Sequence, residues 1–464
     1  MSDYRCHQCR NWNLPDGSKC QFEDDYSTRT NYQELVAQCP HFEEYKALAE
    51  LRRVFHKWLV YKDETLLDIC LAVRCFTEWL SLQRLYPLWF AILGSSGNRK
   101  TETVSAFEDE DKTIVVEDIT EKTFVTGNPK FSENDLAPEL QNKLMLTLDF
   151  ATLLTKHSEN LNQILSILRR AYEGCFYRRT GSGVDVAYKD IFFNWILCST
   201  SAYDRSDLIR ANLGQRELIY RLELEEPYDK EERNKKIKEN SEHLEEMRRE
   251  LRDAVQTYMK YWKSQQFKFN EIKVSPETDK MIEIVSEFIV YLRACAEIDT
   301  YEGEPIDFVE PEECTRVLAQ LSSLCRVLLT LPLSENEALH VISEIAKSSM
   351  NRVRFRVLKE VYSGKVTSTF LARKFGMSWK TINAELQILY QLGFVDCEGE
   401  EGRRREWFVP QNLDPKKQAI LDFIFPNQHI EPLEPDVAQA LKDWKEEQKP
   451  QDLKLDSFEG DKIG

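Results

Sequence analysis

The chain has 464 residues, 42% of them hydrophobic, and a formal net charge of −17. A chain this long exceeds a single core and predicts about two to four domains. The acidic balance excludes a protein that coats nucleic acid with its whole surface, so any such contact must be local. No apolar run reaches the roughly 18 residues of a membrane span, and the stretch Met1–Cys6 does not read as a signal peptide. Of the 12 cysteines, six are scattered singly between Cys175 and Cys397, and two stand at Cys70 and Cys75. Such scatter reads as reduced thiols in a cytoplasmic protein, not as a disulfide framework.

The remaining four, Cys6, Cys9, Cys20 and Cys39, lie within residues 1–42 around Trp12, Pro15 and Gly17. A segment this small cannot bury enough apolar surface to fold unaided, and a tetrahedral metal would supply what is missing. Cys6 and Cys9 have metal-knuckle spacing, and the later gaps are looser. His7 and His41 are substitutes, but the simplest assignment is a structural zinc on all four thiolates. An iron–sulfur cluster and four unliganded buried thiols are the alternatives.

Residues 43–85 carry helical patterning through Leu48, Leu51, Val54, Leu59, Leu66, Leu71, Phe76 and Leu80. The apolar run from Tyr86 to Leu93 then stops at Gly94, Ser95, Ser96, Gly97, Asn98, Arg99, Lys100 and Thr101. This is a strand feeding a phosphate-binding loop: the pattern Gly-x-x-x-x-Gly-Lys-[Ser/Thr] is met at Gly94, Lys100 and Thr101. Its second glycine is replaced by Arg99. Because such a loop wraps phosphates with backbone N–H groups, a side chain at that position is expected to crowd a nucleotide. Lys100 would meet the β- and γ-phosphates of ATP, and Thr101 would coordinate Mg²⁺.

From 86 to 225, short apolar runs alternate with helical stretches, the pattern of a parallel α/β sheet. Strands are expected at Thr113–Val116, Lys143–Asp149 and Ile191–Ser199. The second ends in Asp149, the candidate Mg²⁺ anchor, and the third leads to Thr200, placed to touch a γ-phosphate or its water. Phe150 stands where many ATPases carry a water-activating glutamate, which weakens the case for fast hydrolysis. Between these strands, Tyr177–Val184 reads as a β-hairpin bearing Arg178 and Arg179 before a Gly-Ser-Gly turn. Residues 228–266 read as a solvated, highly charged helix with sparse apolar positions, and 276–348 as wholly helical.

Residues 351–410 hold 11 Lys/Arg against 7 Asp/Glu, a net of +4 inside a chain of −17. Their pattern is helix, helix, Gly376-Met377-Ser378 turn, third helix and hairpin: a winged helix-turn-helix. The third helix would present Ser378, Trp379, Lys380, Asn383 and Gln387 to DNA, with Arg403, Arg404 and Arg405 on the wing. Asn383 and Gln387 are the candidates for base edges. A protein-docking role is the alternative, because the wing tip is acidic.

The order of these motifs resembles AAA+ ATPases, and the downstream layout is similar to minichromosome maintenance helicases and their archaeal and phage mobile-element relatives. The resemblance rests on Gly94–Thr101, Glu121–Gly127, Leu146–Leu154, Arg169–Gly183 and Leu213–Leu222, together with the helical lid and the C-terminal module. It covers roughly residues 85–410, and the mobile-element relatives also place phenylalanine after the acid. The resemblance implies that Arg216 is presented to a neighbouring subunit's nucleotide, although an ungapped match puts Gln215 there. It implies a second phosphate sensor at Arg316, with Arg326 as the other candidate and Ala319 in the usual slot. It also implies that the hairpin lines a pore, where Arg178, Arg179 and Lys189 would follow a DNA backbone.

The expectation is a multidomain α/β protein. A four-cysteine module spans 1–42, and a P-loop AAA+ core with leading helices and a parallel sheet spans 43–226. A linker helix and helical lid span 227–348, a winged helix-turn-helix 349–411 and an acidic tail 412–464. Its partners would be DNA and further copies of itself, and its cofactors ATP, Mg²⁺ and Zn²⁺. The function expected is a DNA motor or a replication factor of a mobile element. The alternative is a catalytically weak nucleotide-binding regulator or scaffold.

Overall fold

The order of the strands decides where chemistry can gather in this chain. The computed structural model describes residues 42–425 apart from 62, 82–84, 96, 98, 121, 128–132, 155–157, 180–184, 207–214, 223–229, 241, 294–295, 299–304, 309–312 and 400–404. The cysteine module at 1–41 and the tail beyond 425 therefore lie outside the described residues.

Helices α1 (Phe42–Trp58) and α2 (Thr65–Thr77) precede strand β1 (Trp89–Leu93) and the short α3 (Lys100–Ser105). Next come β2 (Thr113–Val115), α4 (Leu136–Glu139), β3 (Leu144–Thr147), α5 (Ala151–Leu154) and α6 (Ser158–Tyr172). The expected hairpin is formed by β4 (Phe176–Arg179) and β5 (Asp185–Tyr188), an antiparallel pair. Strands β6 (Asn194–Ser199) and β7 (Leu218–Arg221) complete a five-stranded parallel sheet in the order β2-β3-β6-β1-β7.

Both faces of this sheet are covered, so its strands read as continuous apolar runs instead of alternating ones. Phe90, Ile92, Leu146, Ile196, Cys198 and Tyr220 face one core, while Trp89, Ala91, Met145, Trp195, Leu197 and Ile219 face the other. The second core is closed by α6 through Leu161, Ile164, Leu168 and Tyr172. The first is closed by α2, every residue of which is buried, and by α3 and four later helices. These are α8 (Leu244–Ser264), α9 (Pro276–Arg293), α10 (Thr315–Leu328) and α11 (Glu335–Ser348). Between β7 and α8 lies the strongly charged α7 (Lys230–Asn240), and the pair β8 (Ala296–Ile298) and β9 (Pro305–Phe308) follows α9.

The charged stretch 228–266 corrects one expectation. Within α8 a stripe of Met247, Leu251, Val255, Tyr258, Met259 and Trp262 is buried, and the helix packs along α1. Spacings of three and four residues put these side chains on one face, and the surrounding charge masks the stripe in a simple count.

The C-terminal part contains α12 (Arg352–Ser363), β10 (Val366–Thr367), α13 (Ser368–Phe375), α14 (Trp379–Gln391), β11 (Asp396–Glu398), β12 (Glu406–Phe408) and α15 (Pro415–Ile424). Its three strands pair antiparallel in the order β10-β12-β11. Gly376 ends α13 with φ 64°, a left-handed conformation that glycine adopts without steric cost, and Ser378 caps α14 by accepting from the Thr381 amide. Among the described residues no helix is long and apolar enough to cross a membrane.

One buried side chain ties the sheet to α2. Asn194, fully buried at the start of β6, accepts from the Leu88 amide at 2.8 Å and donates to the Val73 carbonyl at 3.1 Å and the Thr77 hydroxyl at 2.9 Å. Asn194→Ala orphans the Leu88 N–H inside the protein and should lower the unfolding free energy by about 2–4 kcal/mol in urea titration. A loss smaller than about 1 kcal/mol, the net worth of one ordinary hydrogen bond, would show that this amide does not hold the sheet together.

Candidate functional site

In a parallel sheet all carboxyl ends lie on one edge, and ligands of open α/β sheets bind outside that edge where successive connections diverge. Here β1 connects away to the β2 side, whereas its neighbour β6 connects back over β1 to β7. The phosphate-type loop leaves β1 at that divergence. The Gly94 amide donates to the Ser199 carbonyl at 3.2 Å, which pins the start of the loop to the end of β6. Lys100 is buried, and its ammonium donates back to the Gly94 carbonyl at 3.1 Å and the Ser95 carbonyl at 2.9 Å. It thus lies under the loop, from which it can exchange those carbonyls for phosphate oxygens. Thr101 is exposed, Gly97 has φ 75°, and Ser96 and Asn98 lie outside the described residues.

Asp149 and Thr200 stand on the same edge. Asp149 is exposed just beyond β3, and its Oδ1 accepts from the Ala151 amide at 3.1 Å. Thr200 follows β6 and its hydroxyl oxygen accepts from the Ala202 amide at 3.3 Å. Within β6, burial pushes the Cys198 thiol up to about 12, with Lys100 opposing and Asp149 reinforcing the shift. Because β3 and β1 flank β6 in the sheet, Asp149 beyond β3 and Lys100 beyond the β1 loop stand on either side of the end of β6.

Phe150 is buried and packs edge-on against Trp195 at 5.5 Å and against Tyr203 at 6.2 Å. The position after the acid points into the core instead of toward the loop. Arg99 also turns away from the phosphate side: its guanidinium donates to the Val60 carbonyl and lies 4.8 Å from the centre of the Tyr61 ring. In this arrangement the guanidinium lies against the segment between α1 and α2.

The two family-derived arginines are on the other edge of the sheet. Arg216 precedes β7, and its guanidinium meets Glu173 at 3.2 Å and the Tyr172 ring at 6.0 Å. Arg316 lies 6.0 Å from the same ring and donates to the Gln215 carbonyl at 2.8 Å. One helical turn on, Gln320 donates to the Arg216 carbonyl at 2.8 Å. The structure therefore brings Arg216 and Arg316 together around Tyr172 but does not bring Arg316 to this chain's own loop. Arg216 is buried within its own chain, and Arg326 packs over Phe269. Sequence reading missed another arginine on the carboxyl edge: Arg221 binds Asp204 at 2.6 and 3.1 Å and the Ser348 carbonyl at 2.9 Å. No local motif announces it, because the crossover from β6 to β7 makes the pair.

In the hairpin, Arg178 donates to the Val125 carbonyl at 3.1 Å while Tyr177 and Lys189 are exposed. Arg179 lies in β4, and its side chain is outside the described residues. On α14, Ser378, Trp379 and Lys380 are exposed and Gln387 is half-buried. Asn383 is a correction: it is buried where α14 packs on α12 and α13, so it does not face a base edge. The helical period places it on the inner face with Ile382 and Leu386. Arg405 is half-buried, and Arg403 and Arg404 lie outside the described residues. Among the described residues no group of three or more His, Cys, Asp or Glu could hold a metal, and the four N-terminal cysteines lie outside them.

No family model matches this chain, and no curated protein matches it. A solved structure described as "The A form apo structure of NrS-1 C terminal region-CTR" is similar at 14% identity and a TM-score of 0.20, over 76% of this chain and 76% of that one. A TM-score that low carries no argument about fold or function.

The burial of Phe150 sets up a direct test. Phe150→Glu puts a carboxylate among Trp195 and Tyr203, where it finds no water; stability should fall by at least about 3 kcal/mol in chemical denaturation, with no gain in ATP turnover.

Proposed function

We propose that this chain is a nucleotide-binding ATPase of the AAA+ type that works on DNA as an oligomer. The observation that carries the reading is that the strand order puts Lys100, Asp149 and Thr200 at the carboxyl ends of the three adjacent strands β1, β3 and β6. ATP phosphates would lie on the loop at Gly94–Thr101, with Lys100 as the charge partner. An exposed carboxylate and an exposed hydroxyl, Asp149 and Thr101, are hard oxygen donors of the kind Mg²⁺ takes together with phosphate and water. Such a site needs no larger acidic cluster. A bound Mg²⁺ would neutralise charge on the phosphates.

Arg216 and Arg316 lie across the sheet from the loop of their own chain, so a phosphate they meet would belong to a neighbouring copy. That supports an oligomer in which they serve in trans, once Arg216 is released from Glu173. The α12–α15 region supports a winged helix whose DNA face uses Trp379, Lys380 and Gln387 with Arg403–Arg405, the base-edge candidate reducing to Gln387. The cysteines at 6, 9, 20 and 39 are proposed as a zinc module. A mobile-element replication role rests on the motif resemblance alone. The burial of Phe150 favours a second reading, a slow or inactive ATPase that acts as a nucleotide-dependent DNA-binding regulator.

ATP turnover, measured with and without DNA, separates these readings. Lys100→Ala should reduce turnover roughly a hundredfold, the loss expected when one pre-placed charge on the reacting phosphates is removed. Turnover equal to that of Lys100→Ala would sink the enzyme reading. DNA binding is tested independently: Lys380→Ala combined with alanine at Arg403–Arg405 should weaken binding and reduce the slope of log K against log[salt] by about 0.9 for each phosphate no longer neutralised. Unchanged binding and slope would leave the module as a protein-docking element.

A further inference from the structure

Arg99 occupies the one position where the loop departs from its pattern, and its surroundings give it a use. Its backbone φ is 20°, a conformation that costs a side-chain-bearing residue on the order of 1 kcal/mol or more. Its guanidinium donates to the Val60 carbonyl and stacks on Tyr61, whose hydroxyl in turn bonds the Thr103 hydroxyl at 2.7 Å in α3. The loop and the segment between α1 and α2 are thereby fastened to each other through one side chain.

Arg99 and this segment border a half-open cavity of about 220 Å³ beside the loop. Gly97, Arg99 and Glu102 form the loop side, and Trp58, Leu59, Ile237, Leu244 and Met247 are among the residues of the apolar side. Lys236 donates to the His56 carbonyl and Asn240 to the Trp58 carbonyl at 2.7 Å, which fixes α7 against the end of α1. Glu102 is engaged by Arg248 at 2.6 and 2.9 Å, so its charge is compensated at the rim. Ile237 and Leu244 are 51% and 41% exposed, an apolar rim on an otherwise charged helical surface. A concave, mostly apolar cavity with a few polar groups on one wall is the form that small-molecule sites take. The volume lies below the roughly 300–1,000 Å³ of drug-sized pockets and suits one ring system, not a whole nucleotide.

We propose that this chamber takes the base of the nucleotide whose phosphates lie on the loop, and that Arg99 is the positioning residue that holds the two halves of the site together. The proposal rests on the nucleotide-binding reading above. Arg99 then substitutes for the missing glycine by acting on the base side: its planar guanidinium, fixed by Val60 and Tyr61, offers a stacking edge to a heteroaromatic ring. The phosphates are left to Lys100 and the loop amides.

Restoring the glycine decides between this role and a simple defect. Binding of ATP and of inorganic tripolyphosphate is measured by calorimetry on the full chain, with the unliganded melting temperature recorded for each variant. Arg99→Gly should weaken ATP roughly tenfold, the size of one lost charge-assisted hydrogen bond, and leave tripolyphosphate binding unchanged. Leu244→Gln, at an exposed position outside the loop, should weaken ATP in the same selective way. ATP binding by Arg99→Gly equal to or tighter than the parent overturns the proposal, as does an equal loss for ATP and tripolyphosphate, which would put Arg99 on the phosphates. Failure of the nucleotide reading itself is distinguishable, since the parent would then bind no ATP or Lys100→Ala would bind it as tightly as the parent.

Discussion

The geometry of the carboxyl edge depends on the register between β1 and β6, and a single buried amide helps pin that register. Asn194 reaches from the start of β6 to the Leu88 amide just ahead of β1, while its other end holds α2. With Trp89 opposite Trp195, the last residues of the two strands are Leu93 and Ser199. A slip of one residue would exchange the two faces of a strand that is apolar on both. Burial alone would penalise such a slip only weakly, so a polar anchor supplies the missing specificity. From that register follow the bond from Gly94 to Ser199 and the approach of Lys100 and Asp149 to Cys198.

The parallel sheet was legible because its strands are short, apolar and bounded by turn chemistry. Thr113–Val115, Leu144–Thr147 and Asn194–Ser199 fall within the runs that predicted them, trimmed at their ends where the ladder stops. The loop was legible because its spacing is local. What the sequence concealed was direction. Arg99, Phe150, Asn383 and Arg316 each have a side chain whose aim is set by partners far along the chain: Val60, Trp195, the α12 packing and Gln215. A motif states which residue occupies a position, and only tertiary packing states which way it faces. The stripe in α8 was missed for a different reason, because dense charge lowers the average that composition reports.

The sheet has two edges with different chemistry. The carboxyl edge gathers a lysine, a carboxylate, a hydroxyl and the pair Arg221–Asp204, all on strands or just beyond them. The opposite edge gathers two arginines around one tyrosine, held by α10. In the oligomer proposed above, the two arginines of one copy would meet the phosphates held on the loop of the next, head to tail. Heterologous interfaces of that kind close into rings or run on as filaments, depending on the rotation between copies.

Helix α2 carries a consequence for the order in which the molecule is completed. All its residues are buried, polar ones such as Asp68, Arg74 and Thr77 included, and α10 and α11 form part of its cover. Those helices are more than two hundred residues downstream. During synthesis from the N-terminus, the sheet and its phosphate-type loop emerge first, with one face still open to water. That face is fully covered only once Thr315–Leu328 and Glu335–Ser348 have been made, so the closing of the first core is a late event in the growth of the chain.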